Sequence, residues 1–340
     1  MTSSGRSDWL IAPITLPTPF PFGDVNVYLF RGERLTLFDA GVKTDEAWEV
    51  LVRKIGELGY SLSDIGRIVL THHHFDHIGL LGRLKRECRA EVWAHPETLL
   101  QIQYHYGCDE TYRAYYRALL KALGAPDSRV TTFLELREVS HQYLDVYTVD
   151  RALYEHDYFD GFRVIHVPGH SPTDTLYLHE AGGFTVTGDH IIQGVNPNPI
   201  VRRPLPGQVR QPSLVQYQQS LLRTRYLPLG CCYPGHGPTF SNHVACVDQI
   251  LERQERRNEK VLQVMGEEPC TPWDVAYRMY GSMSSGDFIF CVSVAIGHLE
   301  LLEQRGVLRS WRDHAGILWF QRKSLAVRHA FSLSGDSSVL

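Results

Sequence analysis

No uninterrupted apolar stretch in these 340 residues is long enough to span a bilayer. That sets aside an integral membrane protein built on helices. The opening Met1-Thr2-Ser3-Ser4-Gly5-Arg6 lacks the apolar core of a secretion signal. The seven cysteines are an odd, scattered set without C-x-x-C spacing, and Cys231 and Cys232 are adjacent in an apolar run. A disulfide framework is therefore not expected, and a reduced cytoplasm is the expected setting. Charge of one sign is also lacking: the formal net charge is −4, which gives no global argument for nucleic acid or anionic membranes. With 43% hydrophobic and 21% charged residues, the chain suits a soluble globular protein with one main domain and a smaller appendage.

Histidine is what the chain has. Of its 17 histidines, four stand in Thr71-His72-His73-His74-Phe75-Asp76-His77, directly after the strand-like run Ile68-Val69-Leu70. Alternate side chains of an extended segment share a face, so His72, His74 and Asp76 can converge, with His77 following at the start of a helix. Imidazoles plus a carboxylate suit zinc, and also iron or manganese. The competing reading is a fortuitous histidine cluster on a solvated turn.

Three further motifs weaken that alternative. Pro168-Gly169-His170-Ser171 follows Val164-Ile165-His166-Val167; Thr187-Gly188-Asp189-His190 follows Phe184-Thr185-Val186; Pro234-Gly235-His236-Gly237 follows Cys231-Cys232-Tyr233. Each adds a metal-binding side chain beside glycine at the end of a short β-like run. Binding residues concentrate in such loops, where glycine allows tight turns.

The ordered set His72, His74, Asp76, His77, His170, Asp189 and His236 resembles that of the metallo-β-lactamase superfamily of binuclear metallohydrolases. The resemblance covers about residues 10 to 265. Leu16-Pro17-Thr18-Pro19-Phe20, Asn26-Val27-Tyr28-Leu29 and Leu37-Phe38-Asp39-Ala40-Gly41 are similar to the start of that fold. Within the superfamily the chain is most similar to glyoxalase II-like hydrolases with an added C-terminal winged-helix module. The resemblance implies an α/β fold: an αββα sandwich of two mixed sheets with helices outside and metals at one edge.

The pattern along the chain sets more local expectations. Val25–Phe30 and Leu35–Asp39 read as a hairpin, Thr44 as a helix start, Arg67–Leu70 and Glu91–Ala94 as strands, and Ile78–Glu87 as a helix. Residues 96–160 interrupt the pattern and are rich in tyrosine, with Tyr112, Tyr115, Tyr116 and Leu119 at helical spacing and Tyr147 further on. They read either as a packed helix pair or as a cap over the metal site that shapes the substrate pocket. Gly194 to Gly207 is a Pro- and Gly-rich loop after Asp189. Ser213–Arg223 and Asn242–Met265 read as helices. Over residues 268–323, Thr271-Pro272 opens a helix, Val292–Gln304 continues as a second, and Val307–Trp311 with Ile317–Phe320 forms a hairpin. Helix, helix, hairpin is the winged-helix order. The second helix carries Ser293, His298, Glu300 and Glu303 but no arginine cluster, so a structural or dimerising role is favoured over DNA binding. Residues 324–340 read as a frayed tail.

By resemblance, His72, His74 and His170 hold one divalent ion, and Asp76, His77 and His236 hold a second. Asp189 bridges them. Zn2+ is the expected ion at both, with iron or manganese as alternatives. The implied chemistry is attack of a metal-bridging hydroxide on an ester-like carbonyl, with Asp76 and Asp189 as the catalytic carboxylates. Asp189, which metallo-β-lactamases proper usually lack, points away from antibiotic hydrolysis and toward acyl thioesters or lactones. His73 and His190 are not expected as ligands. His190, Ser171, Thr173 and Asn196 are candidates to line the pocket. Arg202 and Arg203 read as a solvated pair or as a clamp for a substrate carboxylate. The expected partner is a small-molecule substrate, with no membrane and no nucleic acid, and with homodimerisation left open. Alternatives are a phosphodiesterase or ribonuclease of the same superfamily, a non-catalytic binding or regulatory protein retaining the fold, and persulfide oxidation at a single iron.

Overall fold

A computed structural model describes residues 10–21, 23–106, 109–139, 143–144 and 148–323. The tail 324–340, the opening Met1–Arg6 and Tyr147 lie outside the described residues.

Two sheets carry the metal-site loops. The first has the order β1 (Ile11–Leu16), β2 (Val25–Arg31), β3 (Leu35–Phe38), β4 (Arg67–Val69), β5 (Glu91–Ala94) and β6 (Arg151–Ala152). Its first three strands are antiparallel and the rest run parallel to β3. The second sheet comprises β7 (Tyr158–Phe159), β8 (Phe162–His166), β9 (Thr175–His179), β10 (Phe184–Gly188) and β11 (Cys231–Pro234). Here β10 and β11 are parallel, and β8 runs the same way because both β8 and β10 are antiparallel to β9. The sheets face each other across a core of Tyr28, Phe30, Phe38, Val69 and Trp93 from one side and Phe162, Val164, Tyr177, Phe184 and Val186 from the other. Apolar residues on the other face of the first sheet (Val27, Leu29, Leu37, Ile68, Val92) pack on α1 (Asp45–Glu57) through Ala47, Leu51 and Ile55. Burying both faces explains why these strands read as nearly continuous apolar runs.

Helix α1 begins where Thr44 accepts the Ala47 N–H, with Asp45 and Glu46 in the first turn favoured by the helix dipole. The helix expected over Ile78–Glu87 is two pieces, α2 (Phe75–Ile78) and α3 (Leu81–Glu87). The break has a hydrogen-bond cause. Ala40 N–H takes the His77 carbonyl, and Leu80 N–H turns to the Gly41 carbonyl, so the ladder cannot run through.

The described part of the insert up to residue 139 is built from three helices, α4 (Thr98–Tyr106), α5 (Glu110–Ala122) and α6 (Asp127–Val139). Beyond the long loop after Asp189 come α7 (Ser213–Thr224) and α8 (His243–Met265). The C-terminal elements are α9 (Pro272–Tyr280), α10 (Phe288–Gln304), β12 (Leu308–Arg312) and β13 (Leu318–Arg322), in the helix, helix, hairpin order read from the sequence. Thr271 and Asp274 form a reciprocal capping box at the start of α9. The last elements share one core with the insert: Tyr112, Tyr116, Leu120 and Phe133 pack with Val261, Val275, Phe288, Val292 and Phe320. Tyr112 and Tyr116 are therefore core residues, as a stripe at helical spacing usually is. No helix among the described residues is long and apolar enough to cross a membrane.

Candidate metal centre

The carboxyl ends of β4, β8, β10 and β11 open at one edge of the facing sheets, and each is followed by one of the histidine or aspartate motifs. Two groups of potential ligands form there. His72, His74, His170 and Asp189 bring one ligand atom each within 4.8 Å of one another, and Asp76, His77 and His236 do the same. All seven residues expected as ligands are thus brought together.

In the first group, Nδ1 of His74 stands 3.0 Å from Nε2 of His72 and 2.9 Å from Nε2 of His170. Three ring nitrogens aimed at one point carry too few protons to satisfy each other, since a neutral imidazole has a single N–H. Two imidazoles on one tetrahedral zinc, with Zn–N of about 2.0–2.1 Å, place their nitrogens roughly 3.3 Å apart. The observed spacing is close to that. Burial, with neighbouring imidazoles adding, pushes His72 and His74 well below the usual histidine range, and burial takes His170 down to about 4. These three imidazoles are therefore neutral at neutral pH, each with one N–H and one ring lone pair.

In the second group, Nε2 of His236 lies 3.3 Å from Oδ2 of Asp76 and 3.5 Å from Oδ2 of Asp189. Nε2 of His77 lies 3.5 Å from Oδ1 of Asp189 and 3.7 Å from Asp76. Burial opposes charge on His77 and His236, but Asp189 and Asp76 outweigh it and raise both. Asp189 also stands 3.6 Å from Nε2 of His170, so its carboxylate reaches both groups. Its Oδ1 and the Nε2 of His77 are buried without a hydrogen-bond partner. Buried, converging, unsatisfied donor atoms of this type fit divalent ions.

The supporting residues fix the ring orientations. Nδ1 of His77 meets Oδ2 of Asp39 at 2.9 Å, and the same carboxylate accepts from Thr71 N (2.7 Å) and Thr71 Oγ1 (2.8 Å). Asp39 holds a positive φ of 61° to do so. Nδ1 of His72 meets Thr71 Oγ1 at 3.0 Å, and Nδ1 of His236 meets the Asp24 carbonyl at 2.7 Å. Asn26 and Tyr28 hold the His236 turn through the Pro234 carbonyl, and Asn26 also through that of Gly237. Gly235 lies so close to Asp189 and His77 that a Cβ there would collide with both. Neither Thr71 nor Asp24 had an expected role, and Asn26, Tyr28 and Asp39 had none beyond their places in fold motifs. An acid closing a strand, as Asp39 closes β3, was the available signal.

The pocket candidates fare differently. Ser171 and Thr173 are fully buried and hold Nδ1 of His73, at 3.5 and 2.9 Å, behind the ligand loop. They do not line an open pocket as expected, because the turn after His170 folds them inward. His190 is only 1% exposed, its Nε2 is 2.7 Å from Thr224 Oγ1 on α7, and burial holds it down at about 3. It too is a packing residue. Asn196 is half-buried and lines a small cavity with Pro199, Leu214, Ser293 and His298, against α10.

The solvated-pair reading of Arg202 and Arg203 is also corrected. Arg202 is 8% exposed, and its Nη2 donates to Nε2 of His74 at 2.9 Å and to the His170 carbonyl. Arg203 turns to the insert, donating to Thr111 Oγ1 at 3.0 Å, with its guanidinium 4.9 Å over the Tyr104 ring.

Residues 20–236 match the family pattern of the metallo-beta-lactamase superfamily. The chain belongs to that superfamily. It is 31% identical over 304 residues to the "Probable metallo-hydrolase YqjP" of Bacillus subtilis, covering 88% of this chain and 94% of the relative. It is 26% identical over 149 residues, 43% of this chain and 58% of the relative, to the "Hydroxyacylglutathione hydrolase GloC" of Haemophilus influenzae. A crystal structure of a metallo-beta-lactamase family protein from Thermus thermophilus superposes with a TM-score of 0.77 at 24% identity, over 92% of this chain and 99% of that one. That likeness shows the shared fold. This superfamily member thus has the metallo-hydrolase fold and His/Asp groups that could hold metal ions.

Proposed function

We propose that the protein is a binuclear metal-dependent hydrolase acting on an ester-like carbonyl, an acyl thioester or a lactone. The observation that carries this reading is the Asp189 carboxylate, within 3.6 Å of His170 on one side and 3.5 Å of His77 and His236 on the other. His72, His74 and His170 would hold one divalent ion, Asp76, His77 and His236 the other, and Asp189 both. Zinc suits this nitrogen and carboxylate set, with iron or manganese as alternatives. Such ions supply Lewis acidity and a hydroxide nucleophile at neutral pH.

The chain's own residues do the rest. Asp39, Thr71 and the Asp24 carbonyl fix three imidazoles so that their ligating nitrogens need not reorganise. In this reading Asp76, whose Oδ2 is 3.3 Å from Nε2 of His236, would act as the proton shuttle. Net water addition splits the acyl C–S or C–O bond, giving a carboxylate and a thiol or hydroxyl group. The relative named a hydroxyacylglutathione hydrolase supports the carbonyl class. The insert is read as the pocket's cap: Tyr115 donates its hydroxyl to the Arg202 carbonyl at 3.3 Å and so steadies the loop beside His74. The C-terminal helices and hairpin are read as a winged-helix-like buttress for that insert. Phosphodiester chemistry ranks lower, because Arg202 and Arg203, the arginines flagged after Asp189, are turned to His74 and to the insert and form no open basic groove.

The test is metal analysis of the purified protein followed by a panel of thioesters, lactones, phosphodiesters and single-stranded RNA. Two ions per chain with thioester or lactone turnover abolished by Asp76→Ala is the expected result. One ion at full activity, or RNA cleavage without carbonyl turnover, would reverse the reading.

A further inference from the structure

Of the ring nitrogens turned outward from the ligand cluster, those of His72, His77 and His236 each meet an oxygen: Thr71 Oγ1, Asp39 Oδ2 and the Asp24 carbonyl. That is the usual arrangement around a metal-ligating imidazole, whose second nitrogen donates to an acceptor. His74 is different. Its outward Nε2 meets the Arg202 guanidinium at 2.9 Å. Arginine only donates hydrogen bonds, so Nε2 accepts here and the single ring proton of neutral His74 is on Nδ1, the nitrogen that faces His72 and His170.

This bond cannot persist once Nδ1 of His74 serves as a ligand. The ring proton then belongs on Nε2, and two N–H donors point at each other, one of them on a cation. Two facing donors need an acceptor between them. An anionic oxygen satisfies both at once, and a guanidinium beside an N–H is a strong, charge-assisted site for carboxylate or phosphate. Arg202 is well placed to stay there. It is nearly buried, its Nη2 is also tied to the His170 carbonyl, and its own carbonyl is held by Tyr115 of α5.

We propose that His74 Nε2–H and the Arg202 guanidinium together form an anion pocket in the metal-loaded protein, which selects substrates carrying a carboxylate or phosphate close to the scissile acyl group. The substrate-class part rests on the hydrolase reading above; the anion pocket itself does not. The His74–Arg202 bond and an anion compete for the same two groups, and a metal ion on Nδ1 would tip that competition toward the anion, with no change in the net protonation of the ring.

Nitrogen NMR of the histidine rings in the wild-type protein tests the switch without any variant. His74 Nε2 is expected to be unprotonated in metal-free protein and protonated after zinc loading. A protonated Nε2 in metal-free protein overturns the proposal. Calorimetric titration with succinate tests the pocket. Zinc-loaded wild type is expected to bind at least ~10-fold more tightly than zinc-loaded Arg202→Met, with Arg202→Lys between them because lysine lacks the planar fork. Equal binding by all three overturns the pocket. Three thioesters identify the anion's source: one of a dicarboxylic acid, one of a neutral acid on a phosphorylated thiol carrier, and one neutral on both sides. Arg202→Met is expected to lower kcat/KM for one anionic substrate relative to the neutral one by ~10-fold or more. An equal loss on all three overturns the clamp. If wild type turns over none of them while the NMR switch and succinate binding hold, the thioester reading fails and the pocket stands.

Discussion

The two edges of the facing sheets bury charge in opposite ways. At the carboxyl ends of β4, β8, β10 and β11, five imidazoles and two carboxylates crowd together with donor atoms left unsatisfied. At the other edge, Arg67 at the start of β4 pairs with Asp160 at 3.0 Å, both side chains 3% exposed. The Arg67 guanidinium lies 4.3 Å over Trp93 and 5.0 Å over Phe159. A surface cavity of about 580 Å³ opens there too, lined by Arg34, Arg67, Trp93, Arg151 and Asp160. Size does not make it the reaction site. Its buried charge is already balanced within the protein by one cation and one carboxylate. The first edge instead gathers buried ligand-type atoms, Oδ1 of Asp189 and Nε2 of His77 among them, that no hydrogen bond satisfies.

The largest expected effect breaks the metal edge. Asp189→Ala removes the carboxylate shared by both groups and should lower metal retention and hydrolysis together, the latter by ~10³-fold or more, about 4 kcal/mol. Metal content by mass spectrometry alongside kcat/KM checks this; full metal occupancy with lost activity would separate holding from catalysis. The matching change at the opposite edge is Arg67→Met. It strands Asp160 without its cation and should destabilise the fold by about 3–5 kcal/mol in denaturant, while metal stoichiometry stays at the wild-type value. The double change Arg67→Met/Asp160→Asn should recover much of that loss.

A finer probe of the metal edge is Asp39→Asn, which weakens the acceptor for His77 and for Thr71. Metal affinity should drop roughly 10–100-fold by competition with a chelator, with little change in melting temperature of the metal-free protein. The smallest effect lies away from both edges. His298 on α10 is buried, its Nδ1 2.7 Å from Asn258 Oδ1 on α8, and burial holds it down at about 3. A histidine lowered on folding contributes stability that is fully present above its unfolded value near 6.5 and is lost as pH falls from there toward 3. Replacing it with glutamine should therefore flatten the acid side of the stability curve by about 1–2 kcal/mol between pH 6.5 and 5. Parallel curves for the two proteins would show that His298 is not what titrates.

The candidate ligand set was legible because each part of it is local. His72 to His77 occupy one loop, and His170, Asp189 and His236 each follow a short apolar run beside glycine, so strand-end placement follows from pattern alone. Thr271 as a cap and the hairpin after Gly306 were legible for the same reason. What the sequence hid depends on contacts between distant segments. Nothing near Arg202 marks it as a neighbour of His74, and nothing near Asp39 marks it as the partner of His77. Ser171 and Thr173 misled because adjacency to a ligand does not fix direction; the turn aims them at His73 instead. The stripe of Tyr112 and Tyr116 was visible, but its partners on α10 were not.

That shared core has a consequence for how the chain is made. Helices α5 and α6 leave the ribosome long before Val275, Phe288, Val292 and Phe320, the residues that cover their apolar faces. Until those arrive, the tyrosine stripe has no surface to bury against, and contacts so far apart in sequence form late and slowly. The sheets and the ligand loops up to His236 are complete earlier in synthesis. A nascent chain can thus gather its histidines before the wall that holds Arg202 beside them is anchored. The substrate selectivity proposed for that wall would, on this order of events, be acquired last, and a chain stopped short of α10 would keep the candidate ligands and lose the support of the wall.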